Sequence, residues 1–147
     1  MDVRRLDAAD RPRWEPLWQG YLTFYEHSLD DATTDVTWSR LTGDDPVVTG
    51  LVAVEGDELV GLCHLVLHPS TWSVGPYCYL EDLFVRPDCR LGGVGRALIA
   101  AAVAEALQAG ATKLYWQTHE SNTTARHLYD RVAEHRGFLV YETDPTG

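Results

Sequence analysis

Apolar residues recur at helical spacing near the start of the chain. Trp14, Leu17, Trp18, Tyr21, Leu22 and Tyr25 recur at i, i+3, i+4, i+7, i+8 and i+11, the period of a helix that buries one face. Asp10 can cap this helix, Pro12 suits its opening turn, and Pro16 lies close enough to the start to bend it rather than end it. Residues 3–6 read as a short first strand. Thr33 or Thr34 can cap a second short helix carrying Val36, Trp38 and Leu41. The pattern then changes to β-rich runs at 47–54 and 58–67, joined by Glu55-Gly56-Asp57 as a hairpin. Breakers mark 68–76 as a loop, and 77–85 is another strand, closed by Pro87. Residues 93–109 are rich in alanine and leucine and read as a helix that stops at Gly110. A strand at 114–118, a helix from 122 to about 136 and a final strand at 138–142 complete the series. Strands that first meander and then alternate with helices predict an α/β fold with a sheet of mixed direction.

Composition narrows this picture. A chain of 147 residues can bury a core as one domain, and no repeat or linker divides it, so 1–147 is read as a single domain. No apolar run approaches the roughly 20 residues of a membrane span. Met1-Asp2-Val3-Arg4-Arg5 lacks the apolar core of a signal peptide, so the expected location is cytoplasmic, with no membrane partner. Cys63, Cys78 and Cys89 show no paired spacing, and the first two lie in apolar runs as small hydrophobes. The net charge of −10 argues against nucleic acid. Between Glu26 and Glu58, seven further acids face Arg40 alone; such a stretch attracts cations or simply keeps the surface solvated. His64 and His68 have no third ligand in reach, and His119, His127 and His135 line one helix only in part, so no metal site is expected.

The chemistry concentrates where the strand at 77–85 runs into Arg90-Leu91-Gly92-Gly93-Val94-Gly95-Arg96-Ala97. The first amides of a helix have no internal acceptor, and the helix dipole adds partial positive charge there. Glycines let a phosphate approach those amides, and Arg90 and Arg96 add charge. Position 98 is Leu where a dinucleotide fingerprint needs glycine, and Gly95 is followed by Arg96-Ala97 where a P-loop needs Lys-Ser/Thr.

Arg90-Leu91-Gly92-Gly93-Val94-Gly95 resembles the pyrophosphate loop of the GNAT superfamily of N-acetyltransferases, Arg/Gln-x-x-Gly-x-Gly/Ala. Asn122-Thr123-Thr124-Ala125-Arg126-His127-Leu128-Tyr129, followed by Gly137-Phe138, is similar to the family's Asn-x-x-Ala-x-x-x-Tyr helix. The resemblance implies a central mixed sheet of about six or seven strands flanked by about four helices, with acetyl-CoA as cosubstrate. It implies that main-chain groups of Leu83 and Val85 pair with the pantetheine arm and that amides from Gly93 to Ala97, beside Arg90, Leu91 and Gly92, hold the pyrophosphate. The acetyl carbonyl would meet the main chain of Leu83 or Phe84. Asn122 and Ala125 would contact the cofactor, and Tyr129 would protonate the departing thiolate.

Seven residues separate Tyr129 from Gly137, where many family members have fewer. That variant resembles a branch including histone-tail and polyamine acetyltransferases. The chain also leaves little for a usual seventh strand; a second subunit would cover the edge so exposed, and a homodimer is expected.

Removing a proton from an ammonium suits a carboxylate, and Leu80-Glu81-Asp82-Leu83 offers two on opposite faces of a regular strand. Glu81 is preferred, because it lies where some members, including spermidine/spermine acetyltransferases, place their strand glutamate. The bland reading makes both surface carboxylates. Tyr21, Tyr25 and Glu26 lie where the family binds acceptors, although core packing accounts equally for the tyrosines. The expectation is direct acetyl transfer to a primary amine: a polyamine, a lysine side chain or a small amine. The alternative is a non-catalytic acyl-CoA sensor or interaction module of the same fold.

Overall fold

Gly56 and Asp57 turn β2 (Val48–Glu55) into β3 (Glu58–His68), with Gly56 in the left-handed region at φ 60° and Glu55 opposite Glu58. A computed structural model describes residues 1–90 and 92–147, in two compact units, Met1–Trp116 and Gln117–Gly147. In the first unit, β1 (Asp2–Arg5) pairs antiparallel with β2, and β4 (Tyr77–Val85) pairs antiparallel with β3. β5 (Lys113–Tyr115) adds to β4 in parallel, giving the order β1-β2-β3-β4-β5.

Helices α1 (Arg11–Phe24) and α2 (Asp31–Thr42) precede the hairpin, and α3 (Val94–Gln108) lies between β4 and β5. Trp14, Leu17, Trp18 and Leu22 on α1 are buried with Leu41, Val52, Leu59, Leu62 and Phe84. Trp14 stacks on Trp18 and also contacts Trp38. The other face of the sheet takes α3. A Cβ at Gly61 would stand 3.0 Å from Leu98 and Val94, whereas its neighbour Leu62 belongs to the α1 cluster; successive strand residues thus serve opposite layers. Cys63 and Cys78 are buried, as expected of small hydrophobes. Burial pushes both thiols up, Cys78 to about 11 with help from the Glu105 charge.

The second unit holds α4 (Thr123–Val132). Among the described residues the sheet has five strands, fewer than the six or seven expected, and the strand expected at 138–142 is absent. Residues 138–141 are 66% to 88% exposed. A strand persists only when its backbone groups are paired, and the described residues of 117–147 contain no strand to pair with. Two caps also differ from expectation. Asp30, not a threonine, caps α2 by accepting from the Thr33 amide. Asp10 occupies the position before α1 but makes no side-chain cap there. None of the described helices is long and apolar enough to cross a membrane.

Asp10 is instead the hub of a buried ion network. It is 1% exposed and accepts two hydrogen bonds from Arg4 (2.7 and 3.0 Å), one from Arg13 (2.8 Å) and one from the Asp7 amide (2.8 Å). The Arg4 hydrogen bonds first, then the Asp7 amide and the two guanidinium charges, hold its carboxyl down at about 2, against the opposing effect of burial. A depressed carboxyl stabilises the fold above its unfolded value and loses that contribution as pH falls through the folded one. Asp10→Asn should therefore cost about 2 kcal/mol near neutral pH, and the gap to wild type should close between about pH 4 and pH 2, read by denaturant unfolding across that range. Thiol titration of the native protein should detect Cys89 alone, with Cys63 and Cys78 reacting only after denaturation.

Candidate active site

β4 is paired on both sides only over its first three residues. Tyr77, Cys78 and Tyr79 meet Lys113, Leu114 and Tyr115, and the pairing with β5 stops there. Further along, the direction of each backbone group follows from the ladder to β3. The Arg86 amide donates to the Val60 carbonyl at 2.8 Å, and bonded and non-bonded pairs alternate in an antiparallel ladder. Phe84 opposite Leu62 and Asp82 opposite His64 therefore bond to β3. Leu83 and Val85 direct their N–H and C=O groups to the open edge. Of the two residues considered for the acetyl carbonyl, Leu83 is the one with its amide on that edge. The Val85 carbonyl accepts from Arg90 Nε at 3.2 Å.

A 3-10 turn (Pro87–Cys89) then leads to α3. Leu91 lies outside the described residues. Gly93 is the N-cap at φ 81°, and α3 receives no side-chain cap. The Ala97 amide already donates to the Gly93 carbonyl, so the amides of Val94, Gly95 and Arg96 are the ones without an intrahelical acceptor. Gly92 and Gly93 are exposed in front of them. The Arg90 guanidinium lies over the rings of Phe24 and Phe84 at 5.4 and 5.6 Å, held from α1 and β4. Uncapped amides, a positive dipole end and an open strand edge leading to them fit a phosphate-bearing, amide-containing arm such as that of acetyl-CoA.

Opposite His64 and Leu65 stand Asp82 and Leu80, so Glu81 is one residue inserted into the ladder. Such a bulge reverses the facing of the strand beyond it. Cys78 and Leu80 thereby share the α3 face with Leu67 and Leu65, whereas Asp82 and Phe84 share the α1 face with His64 and Leu62. Tyr79, paired with Val66, comes onto the same α1 side as Asp82. Simple alternation along 80–83 does not reveal this arrangement.

Around the bulge the side chains are aromatic and acidic. Burial first, then the Asp82 charge and a hydrogen bond to Asp82, push the Tyr21 hydroxyl up. Burial and Asp82 do the same to Tyr25. Burial, with Glu81 and Tyr115 next, pushes Tyr79 up to about 12. Tyr21 also stacks on Trp18 and contacts Tyr25 and Phe84. Glu81 is exposed; partial desolvation and then Asp82 raise its carboxyl, with His64 opposing. Glu26 sits in the left-handed region at φ 54°, in the turn that ends α1.

Nothing in the sequence around His64 announces its surroundings. This residue is 2% exposed, accepts from Trp14 Nε1 at 3.2 Å through Nε2, and meets Asp82 Oδ2 at 2.9 Å through Nδ1. An indole only donates, so Nε2 is the acceptor and the imidazole proton sits on Nδ1, directed at the carboxylate. Trp14 and Asp82 are 50 and 18 positions away, and no local spacing announces them. His68 is separately engaged with the Tyr115 hydroxyl at 2.7 Å.

The remaining predicted residues lie in the second unit. Asn122 is the N-cap residue of α4, yet its side chain makes no cap hydrogen bond and donates instead to Thr118 Oγ1 at 3.3 Å. Ala125 and Tyr129 stand one turn apart on α4 and share a face.

The sequence model of the Acetyltransferase (GNAT) family matches residues 13–133. The chain is 28% identical over 142 residues to the D-amino-acid N-acetyltransferase HPA3 of Saccharomyces cerevisiae, covering 95% of this chain and 88% of that protein. It is 35% identical over 89 residues to a thialysine N-epsilon-acetyltransferase of Caenorhabditis elegans, covering 60% and 55%. The solved structure of AAC(6')-Iy in complex with a bisubstrate analogue has the same fold, with a TM-score of 0.82, 20% identity and 97% of each chain covered.

A Cβ at Gly93 would meet nothing within 4 Å, so the constraint there is the left-handed backbone rather than space. Gly93→Ala should cost about 1 kcal/mol in unfolding experiments. It should also weaken acetyl-CoA binding by calorimetry, because relaxing that backbone moves the amides that follow it.

Proposed function

The chain belongs to the acetyltransferase (GNAT) family, whose members are acetyl-CoA-dependent acyltransferases, and we propose that it transfers acetyl directly to the primary amine of a small cationic acceptor. The observation that carries this reading is the pair of carboxylates, Glu81 and Asp82, on a bulge bordered by three tyrosines and next to the open edge of the same strand. An ammonium is attracted there and can lose a proton there. The names of the relatives agree in class: both the D-amino-acid and the thialysine enzymes are N-acetyltransferases.

Bound acetyl-CoA supplies an activated acetyl group as a thioester. The residues suited to hold it are Val94, Gly95 and Arg96 by their amides, Arg90 by its charge, and Leu83 and Val85 by their outward main-chain groups. In this reading the Leu83 amide polarises the acetyl carbonyl. Glu81, exposed and with its carboxyl raised, takes the proton from the ammonium, directly or through water. Tyr129 returns a proton to the leaving sulfur, and Asn122 and Ala125 contact the cofactor from the same helix. Tyr21, Tyr25 and Glu26 flank the acceptor. In this reading no covalent acetyl-enzyme is needed; Cys63 and Cys78 are in any case buried with their thiols raised. A homodimer belongs to the reading as well: residues 138–141 expose an apolar run that a second copy would cover. Sedimentation of the intact chain reads this, and a monomer at every concentration removes it.

The deciding experiment is release of free thiol from acetyl-CoA in the presence of thialysine, D-amino acids, polyamines and aminoglycosides. Amine-dependent release supports transfer; acetyl-CoA binding with no release from any amine would replace it with an acyl-CoA-binding module. Glu81→Gln and Tyr129→Phe should each lower kcat about 100-fold while leaving acetyl-CoA affinity nearly unchanged. The rate should rise with pH along a limb above the ordinary glutamate range, because the base is the deprotonated form of a raised carboxyl. That limb should disappear in Glu81→Gln.

A further inference from the structure

The mechanism above leaves one buried, fully engaged side chain without a role. His64 is fixed from both sides, by the Trp14 indole on Nε2 and by Asp82 on Nδ1. Trp14 is itself fully buried and packed against Trp18 and Trp38, and Trp18 also lies 5.4 Å from the imidazole. The ring can neither turn nor exchange tautomers without losing a buried hydrogen bond. What it presents to Asp82 is therefore one N–H in one direction.

Asp82 gains from this. A short carboxylate on a strand ordinarily samples several rotamers, but this one is 13% exposed and tied to His64 Nδ1 at 2.9 Å. A carboxylate accepts about four hydrogen bonds, so capacity remains after His64 for a further donor. Among the described residues, Glu81, inserted in the bulge and exposed, has no comparable restraint.

We propose that Trp14 and His64 are positioning residues that hold Asp82 as the anchor for the acceptor's ammonium group. Anchoring by Asp82 is thus separate from proton removal by Glu81. The inference rests on the reading of this cleft as the acceptor site. The tautomer matters because a histidine offering a lone pair at Nδ1 would repel the carboxylate instead of holding it. The two positioning residues come from α1 and β3, so acceptor recognition on β4 depends on how the helix docks on the sheet.

Calorimetric titration of thialysine into the CoA-saturated protein tests this. His64→Leu removes the donor, and Asp82→Asn removes the charge; each should weaken thialysine binding at least about tenfold, as expected for a lost charge-assisted hydrogen bond. His64→Asn keeps an amide N–H close to the Nδ1 position and should stay within about threefold of wild type. Acetyl-CoA affinity should hold in all three, which also reports that the unit is folded. In turnover the His64→Leu effect should fall on the KM for the amine rather than on kcat. If His64→Leu does not fold, Asp82→Asn and His64→Asn carry the comparison. Wild-type affinity in His64→Leu or in Asp82→Asn would overturn the proposal. So would binding in a folded His64→Asn as weak as that of Asp82→Asn, or absence of thialysine binding by the wild-type protein. Binding of both ligands without thiol release would instead remove the transfer reading and leave the positioning role standing.

Discussion

Backbone groups in a sheet have to be paired, and side chains along a strand have to alternate. β4 departs from both rules within a few residues. Its pairing to β5 stops after Tyr79, and its ladder to β3 carries one extra residue at Glu81. The first departure leaves main-chain donors and acceptors of Leu83 and Val85 on an open edge. The second turns Asp82 toward α1 while Leu80 stays with α3. The proposed cofactor and acceptor sites are thus consequences of how a single strand is held, and β3 is the partner that holds it.

The two helical layers make that strand geometry possible. α3 approaches the sheet at Gly61, where a side chain would meet Leu98 and Val94, and its uncapped N-terminus is thereby placed just after β4. α1 approaches from the other side with Trp14, Trp18 and Tyr21, one turn apart from each other along the helix. These three residues do more than fill the core. Trp14 fixes the tautomer of His64, Trp18 packs against both His64 and Tyr21, and Tyr21 meets Asp82. The proposed acceptor side is thus packed on the helix and β3 side, while Glu81 is exposed to solvent.

Charge is spent unevenly. The network of Asp10 with Arg4 and Arg13 neutralises a buried acid near the start of α1, where a loss of pairing would threaten the fold. Asp82 and Glu81, by contrast, form no ion pair with an arginine or lysine among the described residues; Asp82 is held by an imidazole, with a tyrosine beside it. An acid left uncompensated in this way suits the cationic acceptor proposed above, and neutral hydrogen-bond donors can orient it without cancelling its charge.

Much of this was legible in the residues alone. The α1 stripe, the Gly56 hairpin, the strand at 77–85 and the glycine turn before α3 are local patterns, each set by interactions between near neighbours in sequence. The geometry of that turn was legible for the same reason, because a helix start and its glycines are contiguous. The caps were read less well, since Asp10 and Asp30 both offer a carboxylate and only packing decides which of them caps. The expected strand at 138–142 had the right composition, but a strand exists only through a partner. His64, Trp14 and the true facing of Asp82 could not be read at all. They depend on the register between β3 and β4 and on the docking of α1, and a one-residue shift in register, invisible in either strand by itself, changes which side chains meet.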